Sequence, residues 1–370
     1  MNRTTIDAVA LALQAQQPVL LVGDPGIGKT SVMYAIGRSL ERQVRVIPAH
    51  VYSQEDIGGF PAPDFDRGFV RMLPNEALFS GLTEDEILFW DEINQADDHK
   101  QGALMRVILE NRAGVHAFPD RVSHAAAMNP TDRSAGGTDI QPPLANRFMW
   151  LPCTVDTKAW CEAAIKGFPN PVVPRTASNW RLLIAPKLTL VVAYVRARSD
   201  VLLRYPKTHA EACGPWASPR TMTALATMDA ACESAGCDDD VRMVCFSGLI
   251  GNAGGTEYLT YIRELDLPDT EELLQHPLKF KLPVRGDQRY AVLASVVGAV
   301  VRHFTDDRYY AAWQIFDIAR EGGAADIVVA SAKSLAQMHT KLKAERMKPL
   351  KEMEKFMPLL KAAGYIGSAA

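Results

Sequence analysis

Short apolar runs alternate with helical patterns over the first 150 residues of the chain. The apolar runs span residues 18–23, 44–50, 86–92 and 124–129, and each has the length of a strand that is buried on both faces. Strands that alternate with helices predict an α/β domain built on a parallel sheet. Ligands of such sheets bind at the carboxyl ends of the strands, so the residues that follow each run are the first candidates for function.

The pattern of strands ends at about residue 153. Helical patterns continue to the C-terminus, interrupted by segments rich in proline and glycine. We therefore predict three consecutive domains: an α/β domain over 1–152, an α-helical lid domain over 153–265 and an α-helical extension over 266–370.

Composition excludes several classes of protein. Of the 370 residues, 48% are hydrophobic and 22% charged, which is typical of globular domains. The net charge of −3 argues against a protein built mainly to neutralise nucleic-acid phosphates. The N-terminus lacks a signal-peptide pattern, and no apolar run reaches the roughly 20 residues of a membrane span. We therefore predict a cytoplasmic protein without a membrane span. Its six cysteines form no CxxC pair and are predicted to be reduced thiols.

A phosphate-binding sequence, "GDPGIGKT", follows the first apolar run at residues 23–30. It fits the pattern G-x-x-x-x-G-K-[ST], in which backbone N–H groups surround a phosphate, the lysine adds a positive charge, and the last hydroxyl binds Mg²⁺. We predict that the chain binds ATP with Mg²⁺. The candidate nucleotide-binding residues are Gly23, Asp24, Pro25, Gly26, Ile27, Gly28, Lys29, Thr30 and Ser31.

Three polar residues follow two of the other strands. Asp91 and Glu92 end the run "ILFWDE", and Asn129 ends the run before "NP". Asp91 and Thr30 are the candidate Mg²⁺ ligands. Glu92 is the candidate base that polarises a water molecule for attack on the γ-phosphorus, and Asn129 is the candidate that orients this water.

These motifs, in this order, resemble those of AAA+ ATPases, and within that superfamily the MoxR branch. The resemblance runs from "VLLVGDPGIGKT" to "PPLANRF", over about residues 18–148, with a weaker continuation at "SPRTM". It implies that residues 23–30 are Walker A, that "DEIN" is Walker B, and that Asn129 is sensor 1. It also implies that Arg147 is the arginine finger and Arg220 is sensor 2. Arg133 is a secondary candidate near a subunit interface.

The resemblance also implies a ring, usually a hexamer. Arg147 lies beyond the third strand, on the side away from its own Walker A, so we expect it to reach the nucleotide of a neighbouring subunit. Arg220 begins a helix in the second predicted domain. We expect it to touch the nucleotide that is held by the first domain of its own chain.

Two segments depart from a minimal AAA+ core in the way that MoxR relatives do. "GGFPAPDFDRGFVRM" and "NRAGVHAFPDRVSH" resemble inserted hairpins that face the axial surface of the ring. Phe60, Phe65, Phe69 and Phe118 are therefore candidates for client contact. The alternative is that these rings pack within the hairpins.

The favoured hypothesis is a ring-forming ATPase that remodels or activates a protein client, with a von Willebrand A domain protein as the expected partner or adaptor. The alternative is a nucleic-acid motor of the helicase or restriction-translocase type. Its support is a stretch from Lys333 to Lys361 with eight basic and three acidic residues; a solvated helix face explains such a stretch equally simply. A nucleotide-switched scaffold with little hydrolysis is disfavoured because the predicted catalytic residues are all present.

Overall fold

The computed structural model of the chain describes residues 1–130, 137–341 and 351–362. These residues form two compact units. The first contains residues 1–175, 203–224 and 236–256, and the second contains residues 176–202, 225–235 and the described residues from 257 onward. Arg133 and part of the basic C-terminal stretch lie outside the described residues.

The strands belong to the first unit. In chain order they are β1 (Val19–Val22), β2 (Gln43–Pro48), β3 (Phe60–Asp64), β4 (Phe69–Leu73), β5 (Glu86–Asp91), β6 (Arg112–Ala113), β7 (His116–Ala117), β8 (Ser123–Met128) and β9 (Met149–Pro152). Five of them form one parallel sheet in the order β2, β5, β8, β1, β9. The predicted α/β fold is thus confirmed, and the four apolar runs are β1, β2, β5 and β8. The short edge strand β9 was not predicted.

Helices make up most of the remaining described chain. They are α1 (Arg3–Ala15), α2 (Lys29–Leu40), α3 (Gln54–Gly58), α4 (Glu76–Phe79), α5 (Asp98–Glu110), α6 (Pro142–Ala145), α7 (Thr157–Ile165), α8 (Ile184–Ala197), α9 (His209–Ala212), α10 (Pro219–Ser234), α11 (Asp239–Glu264), α12 (Thr270–Gln275), α13 (Gly286–Arg302), α14 (Asp306–Ala319), α15 (Ala325–Lys341) and α16 (Lys351–Ala362). None of the helices described here has both the length and the apolar character of a membrane span.

A core of large apolar side chains lies along the sheet of the first unit. Leu20 of β1, Trp90 of β5 and Leu104 of α5 belong to it and are fully buried. Helix α1 is held by an N-cap, in which the Asn2 side chain accepts a hydrogen bond from the backbone N–H of Thr5 at 2.8 Å. The close packing of these layers fixes where each strand ends, and this determines the positions of the polar residues that follow.

Two antiparallel hairpins project from the first unit, at the positions of the two inserted segments. β3 pairs with β4 and β6 pairs with β7. They are also joined to each other, because Val115 N–H donates to the carbonyl oxygen of Met72 at 2.8 Å, and Gly114 N–H donates to that of Gly58 at 3.0 Å. The two hairpins are therefore one connected surface feature.

The four phenylalanines predicted to contact a client divide into two groups. Phe60, Phe65 and Phe69 are exposed on the first hairpin, and Phe65 is 89% exposed. Phe118 is only 4% exposed, and its ring centroid lies 5.1 Å from that of Phe79 in the core. The prediction for Phe118 is wrong because this side chain anchors the second hairpin and is not free to touch a client.

The second unit is helical and is organised around α13. Residues 291–294 and 296–301 of this helix are buried, and it packs against α8, α12, α14 and α15. A buried ion network adds to this packing: Lys187 lies 3.0 Å from Asp229 and 2.6 Å from Glu233, and Arg302 also pairs with Glu233. Asp229 is fully buried, so the lysine charge compensates the cost of its desolvation.

The two units do not coincide with the predicted boundaries at residues 152 and 265. Residues 203–224 and 236–256 group with the sheet, whereas 176–202 and 225–235 group with the C-terminal helices. The reason is that α10 and α11 each begin in the first unit and end in the second. In α10 the boundary falls inside the helix, where the sequence carries no loop or linker signal, and in α11 it follows a kink at Gly251, whose φ is +79°.

The junction of the hairpins gives a prediction about stability. Gly114 has a φ of +52°, and a Cβ there would lie 2.1 Å from the carbonyl oxygen of Met72. We expect Gly114→Ala to lower the free energy of unfolding of the first unit by at least about 1 kcal/mol. Gly102 lies in α5 with open space around it, so Gly102→Ala should raise this free energy by about 0.5–1 kcal/mol. Chemical unfolding followed by tryptophan fluorescence measures both. Equal midpoints for Gly114→Ala and the wild type would contradict the close contact.

Candidate nucleotide-binding site

The loop between β1 and α2 requires glycine at three positions for two different reasons. Gly26 and Gly28 have φ values of +79° and +86°, a backbone conformation that glycine adopts without steric cost. The space where their Cβ atoms would lie is open. Gly23 instead lies against a neighbouring strand, and a Cβ there would be 2.4 Å from the carbonyl oxygen of Cys153. Glycine is thus required at residues 26 and 28 for their backbone conformation and at residue 23 for its close contact with Cys153.

Lys29 lies at the first position of α2 and is 9% exposed. Its Nζ donates hydrogen bonds to the carbonyl oxygens of Gly23 at 2.8 Å and Asp24 at 3.0 Å, and to Oδ1 of Asn129 at 2.7 Å. An ammonium has three donors, and each has an acceptor here. Burial lowers the pKa of Lys29, and the nearby groups of Cys153 and Asp91 act in the opposite direction. The Lys29 ammonium is therefore held inside the glycine-rich loop, at the place where the loop N–H groups would surround a phosphate.

Thr30 and Asp91 form the pair that was predicted to hold Mg²⁺. The Thr30 hydroxyl donates to Oδ2 of Asp91 at 2.8 Å. Hydroxyl and carboxylate oxygens are hard donors, which suit Mg²⁺. The two side chains come from the first turn of α2 and the end of β5, so the donor set fits this cation.

Glu92 has a left-handed backbone with a φ of +53° between β5 and a short 3₁₀ helix. Such a conformation is strained for a residue with a side chain, and strain of this kind clusters at functional sites. Its N–H donates to Oδ1 of Asp91 at 3.1 Å, and its Oε2 lies 3.2 Å from Nδ1 of His50. His50 follows β2, which pairs with β5. The candidate base therefore has an imidazole partner that the sequence analysis did not identify.

Asn129 follows β8 and is buried. Its side chain accepts from Lys29, and its carbonyl oxygen accepts from Nδ2 of Asn94 at 3.1 Å. Asn94 is fully buried, three residues after Asp91. The sequence analysis named Asn94 only as a letter of the "DEIN" motif. Its place beside Asn129 could have been inferred only from the pairing of β5 with β8.

Arg147 and Arg220 line one cavity of about 470 Å³. Gln17 lies just before β1, Val122 just before β8 and Asn146 just before β9, and these residues line it too. The cavity therefore lies at the amino ends of three parallel strands. The glycine-rich loop lies at the carboxyl ends, on the opposite edge of the sheet.

This position differs from the one expected for Arg220. β1 has four residues and spans about 13 Å. Arg220 lies beyond its amino end, whereas Lys29 lies beyond its carboxyl end. The structure thus does not bring Arg220 to the nucleotide-binding loop of its own chain, because the start of α10 packs beside Arg147 in the first unit. Arg147 is on the side that was predicted.

A buried hydrogen-bond network holds the two arginines together. Nδ2 of Asn146 donates to the carbonyl oxygen of Trp216 at 3.1 Å, and the Ser218 hydroxyl donates to Oδ1 of Asn146 at 2.8 Å. Ser218 N–H in turn donates to the Thr221 hydroxyl at 2.8 Å. Asn146, which precedes Arg147, is therefore hydrogen-bonded to two residues of the turn before α10, the helix that contains Arg220. Asn146 was not singled out from the sequence, because only the tertiary contact reveals it.

The cavity carries an excess of positive charge. Burial, and then the neighbouring charge of Arg220, lowers the pKa of Arg147. Asp120 adds one carboxylate to the lining. His124 is fully buried, and burial lowers its pKa to about 4, so it adds no charge at neutral pH. Two guanidinium groups against one carboxylate favour an anion.

The sheet order, the glycine-rich loop and the Thr30–Asp91 pair define a P-loop nucleoside triphosphatase fold. Residues 18–148 match the family model of the AAA domain, dynein-related subfamily. The predicted AAA+ fold is thus confirmed for this part of the chain.

Part of the chain is also similar to known proteins. The Holliday junction branch migration complex subunit RuvB of Prochlorococcus marinus (strain AS9601) is 28% identical over 151 residues, which are 40% of this chain and 38% of RuvB. Midasin of Giardia intestinalis is 26% identical over 156 residues, which are 38% of this chain and 3% of midasin. The chain thus spans less than two fifths of the length of these relatives.

A solved structure is also similar. The crystal structure of a presumed ATPase from Cytophaga hutchinsonii ATCC 33406 aligns with a TM-score of 0.43 at 16% identity, and the alignment covers 70% of this chain and 88% of that one.

The contacts of Lys29 give a prediction about nucleotide binding. We expect Lys29→Ala to weaken the binding of ATP about a hundredfold or more, because a charge-assisted contact to each of two phosphates is lost. Lys158→Ala, which changes an exposed lysine of α7, is the matched control and should bind as the wild type does. Titration with a fluorescent ATP analogue measures both dissociation constants. An unchanged constant in Lys29→Ala would contradict the assignment of the loop.

Proposed function

We propose that this chain is a ring-forming AAA+ ATPase of the MoxR-like branch, which couples hydrolysis of ATP to the remodelling or activation of a protein client. The observation that carries the proposal is the division of the catalytic groups. Lys29, Thr30, Asp91, Glu92 and Asn129 lie at one edge of the sheet, and Arg147 and Arg220 lie at the other. One chain then supplies half of each catalytic site, and its neighbour supplies the rest.

In this proposal the carboxyl edge binds ATP. Lys29 exchanges its hydrogen bonds with loop carbonyls for contacts to the β- and γ-phosphates. Thr30 and Asp91 hold Mg²⁺, which when bound neutralises negative charge on the phosphates. The N–H groups of residues 24–29 turn toward the phosphates, because the glycine conformations at 26 and 28 allow it.

Glu92 and Asn129 act on the attacking water. Glu92 accepts its proton, and Asn129 orients it once Lys29 has turned to the phosphates. His50 holds the Glu92 carboxylate at 3.2 Å, so the carboxylate must leave this partner to reach the water. His50 is thus a positioning residue for the Glu92 carboxylate, although both side chains are 40% exposed.

The amino edge completes the site of a neighbouring subunit. Arg147 and Arg220 face a cavity with an excess of positive charge, and a γ-phosphate that enters it would compensate that charge. Asn146 fixes the distance between the two arginines, so both would meet one phosphate together. A closed ring, in which every subunit gives and receives these arginines, is the arrangement that uses all of them. The resemblance to the MoxR branch favours six subunits.

The joined hairpins are the proposed contact with the client. Phe60, Phe65 and Phe69 are exposed together on β3, β4 and the turn between them. Exposed aromatic groups of this kind suit apolar segments of a partly unfolded protein. The resemblance favours a protein with a von Willebrand A domain as the client or adaptor.

A nucleic-acid motor is the second candidate function. The similarity to RuvB favours it, since that relative is named for branch migration of Holliday junctions. The match covers only 40% of this chain and 38% of RuvB. The net charge of −3 does not support a large surface for nucleic-acid phosphates.

Capture on an ATP-locked variant tests the proposed function. Glu92→Gln places an amide of the same size near the attacking water, but the amide cannot accept a proton from it. We therefore expect ATP to bind normally and turnover to fall at least about a hundredfold. Tagged Glu92→Gln, loaded with ATP and Mg²⁺ in a lysate of the native host, should enrich a protein client. Lys29→Ala is the unloaded control, and Glu110→Gln is the matched change on an exposed helix face.

Three results would count against this proposal. Turnover of Glu92→Gln equal to that of the wild type would mean that another group is the base. Equal enrichment of a protein on Glu92→Gln and Lys29→Ala would mean that the contact does not depend on nucleotide. Enrichment of nucleic acid that is lost at moderate salt would favour the second candidate function, because binding to phosphates falls steeply with salt.

Mixing two inactive variants tests the ring. Arg147→Ala should bind ATP as the wild type does but hydrolyse it slowly, and Lys29→Ala should do neither. In mixed rings, a Lys29→Ala subunit offers its arginines to the intact P-loop of an Arg147→Ala subunit. We therefore expect part of the ATPase activity to return on mixing. The double variant Lys29→Ala/Arg147→Ala, mixed with Arg147→Ala, is the control and should restore nothing. No recovery in rings shown to be mixed would contradict action between subunits.

A further inference from the structure

A cluster of three side chains lies outside the nucleotide site, in the first unit. Asp139, His209 and Cys213 each offer one atom, and these atoms all lie within 4.8 Å of one another. Nε2 of His209 is 3.5 Å from Sγ of Cys213. Asp139 and His209 are exposed and Cys213 is partly exposed, so an ion from solution could reach all three.

The backbone fixes the spacing of His209 and Cys213. Cys213 N–H donates to the carbonyl oxygen of His209 at 3.0 Å, which closes one helical turn and brings both side chains to one face. A capping box holds the start of this turn, in which the Thr208 hydroxyl accepts from Glu211 N–H at 3.3 Å and Glu211 accepts from Thr208 N–H at 3.4 Å. The pair is therefore held in place before any ion binds.

Asp139 is held from the other side by buried amides. Thr138 N–H donates to the carbonyl oxygen of Asn94 at 2.8 Å. Gln101 accepts from Gln141 N–H at 2.8 Å and donates to the carbonyl oxygen of Asp139 at 3.3 Å. Both Asn94 and Gln101 are almost fully buried. The carboxylate of Asp139 therefore projects from a segment that is anchored on both sides.

We propose that Asp139, His209 and Cys213 bind Zn²⁺. Thiolate, imidazole and carboxylate are the three donor types that proteins use for this cation. Zinc lies about 2.3 Å from a sulfur and about 2.0–2.1 Å from a nitrogen, and tetrahedral angles then place these ligands about 3.5 Å apart. The observed distance between His209 and Cys213 has this value. The fourth position is open to solvent, so a water completes the coordination.

The electrostatic setting also favours a cation. The Asp139 carboxylate lies within 4.8 Å of the Cys213 sulfur, so its negative charge attracts a cation bound between them. The site differs in chemistry from the Thr30–Asp91 pair, whose oxygens suit Mg²⁺. Zinc bound here ties the segment 138–141, which leads to Arg147, to the turn that holds His209. The sequence pattern H-x-x-x-C alone could not reveal it, because the third ligand comes from a distant loop.

Metal binding without nucleotide tests the proposal. The wild-type protein is stripped with a chelator and titrated with Zn²⁺ against a fluorescent indicator. We expect one equivalent to bind, and we expect Cys213→Ser and Asp139→Asn each to bind at least about tenfold more weakly. Cys161→Ser, which changes an exposed cysteine of α7, is the matched control and should bind as the wild type does. Titration with Co²⁺ should give a thiolate charge-transfer absorption in the wild type and in Cys161→Ser but not in Cys213→Ser.

Thermal unfolding with and without Zn²⁺ separates a lost ligand from a lost fold. The side chains are mostly exposed, so all variants should unfold with the wild type when the metal is absent, and Zn²⁺ should raise the midpoint of the wild type and of Cys161→Ser alone. Binding of Zn²⁺ or the Co²⁺ absorption unchanged in Cys213→Ser would overturn the proposal. So would a wild-type midpoint that Zn²⁺ does not raise. These measurements use neither ATP nor Mg²⁺, so their outcome is independent of the proposed ATPase function.

Discussion

The pairing of β1 with a strand on each side is the constraint on which the nucleotide site depends. The hydrogen bonds continue past the end of the strand, since Gly23 N–H donates to Met128 at 3.3 Å and Cys153 N–H donates to Val22 at 2.7 Å. The glycine-rich loop thus leaves the sheet from a fixed backbone position. Cys153 leaves no space for a side chain at residue 23, so glycine is required there. The carbonyl oxygen of Gly23 is thereby placed to accept a hydrogen bond from Lys29.

Positive charge has different surroundings at the two edges of the sheet. At the carboxyl edge, Lys29 has three oxygen acceptors within its own chain, so its desolvation is compensated whether or not a phosphate is bound. At the amino edge, Arg147 and Arg220 line one cavity, and burial, then the repulsion from Arg220, lowers the pKa of Arg147. A single chain leaves that repulsion in place. An anion bound in this cavity would relieve it.

The sequence was most informative where chemistry directly follows an apolar run. Asp91 and Asn129 could be assigned because each ends a strand, and the edge at which parallel strands end is known in advance. Phe118 was misassigned because burial depends on what packs above a hairpin. His50 and the position of Arg220 depend on contacts between segments far apart in the chain, which no local pattern encodes. The residues of the site that could be predicted are therefore those placed directly at the ends of the strands.

Asn94 connects the nucleotide edge of the sheet to the segment that leads to Arg147. It is fully buried just after the Asp91–Glu92 pair, and it bonds the carbonyl oxygen of Asn129 at 3.1 Å and Thr138 N–H at 2.8 Å. The first contact belongs to the nucleotide edge, and the second anchors the segment that leads through α6 to Arg147. The side chain of Asn94 makes the first contact and its backbone carbonyl makes the second, so a shift of Asn129 would act on both segments through one residue. These hydrogen bonds therefore connect the nucleotide edge to the segment that leads to Arg147, within a single compact unit.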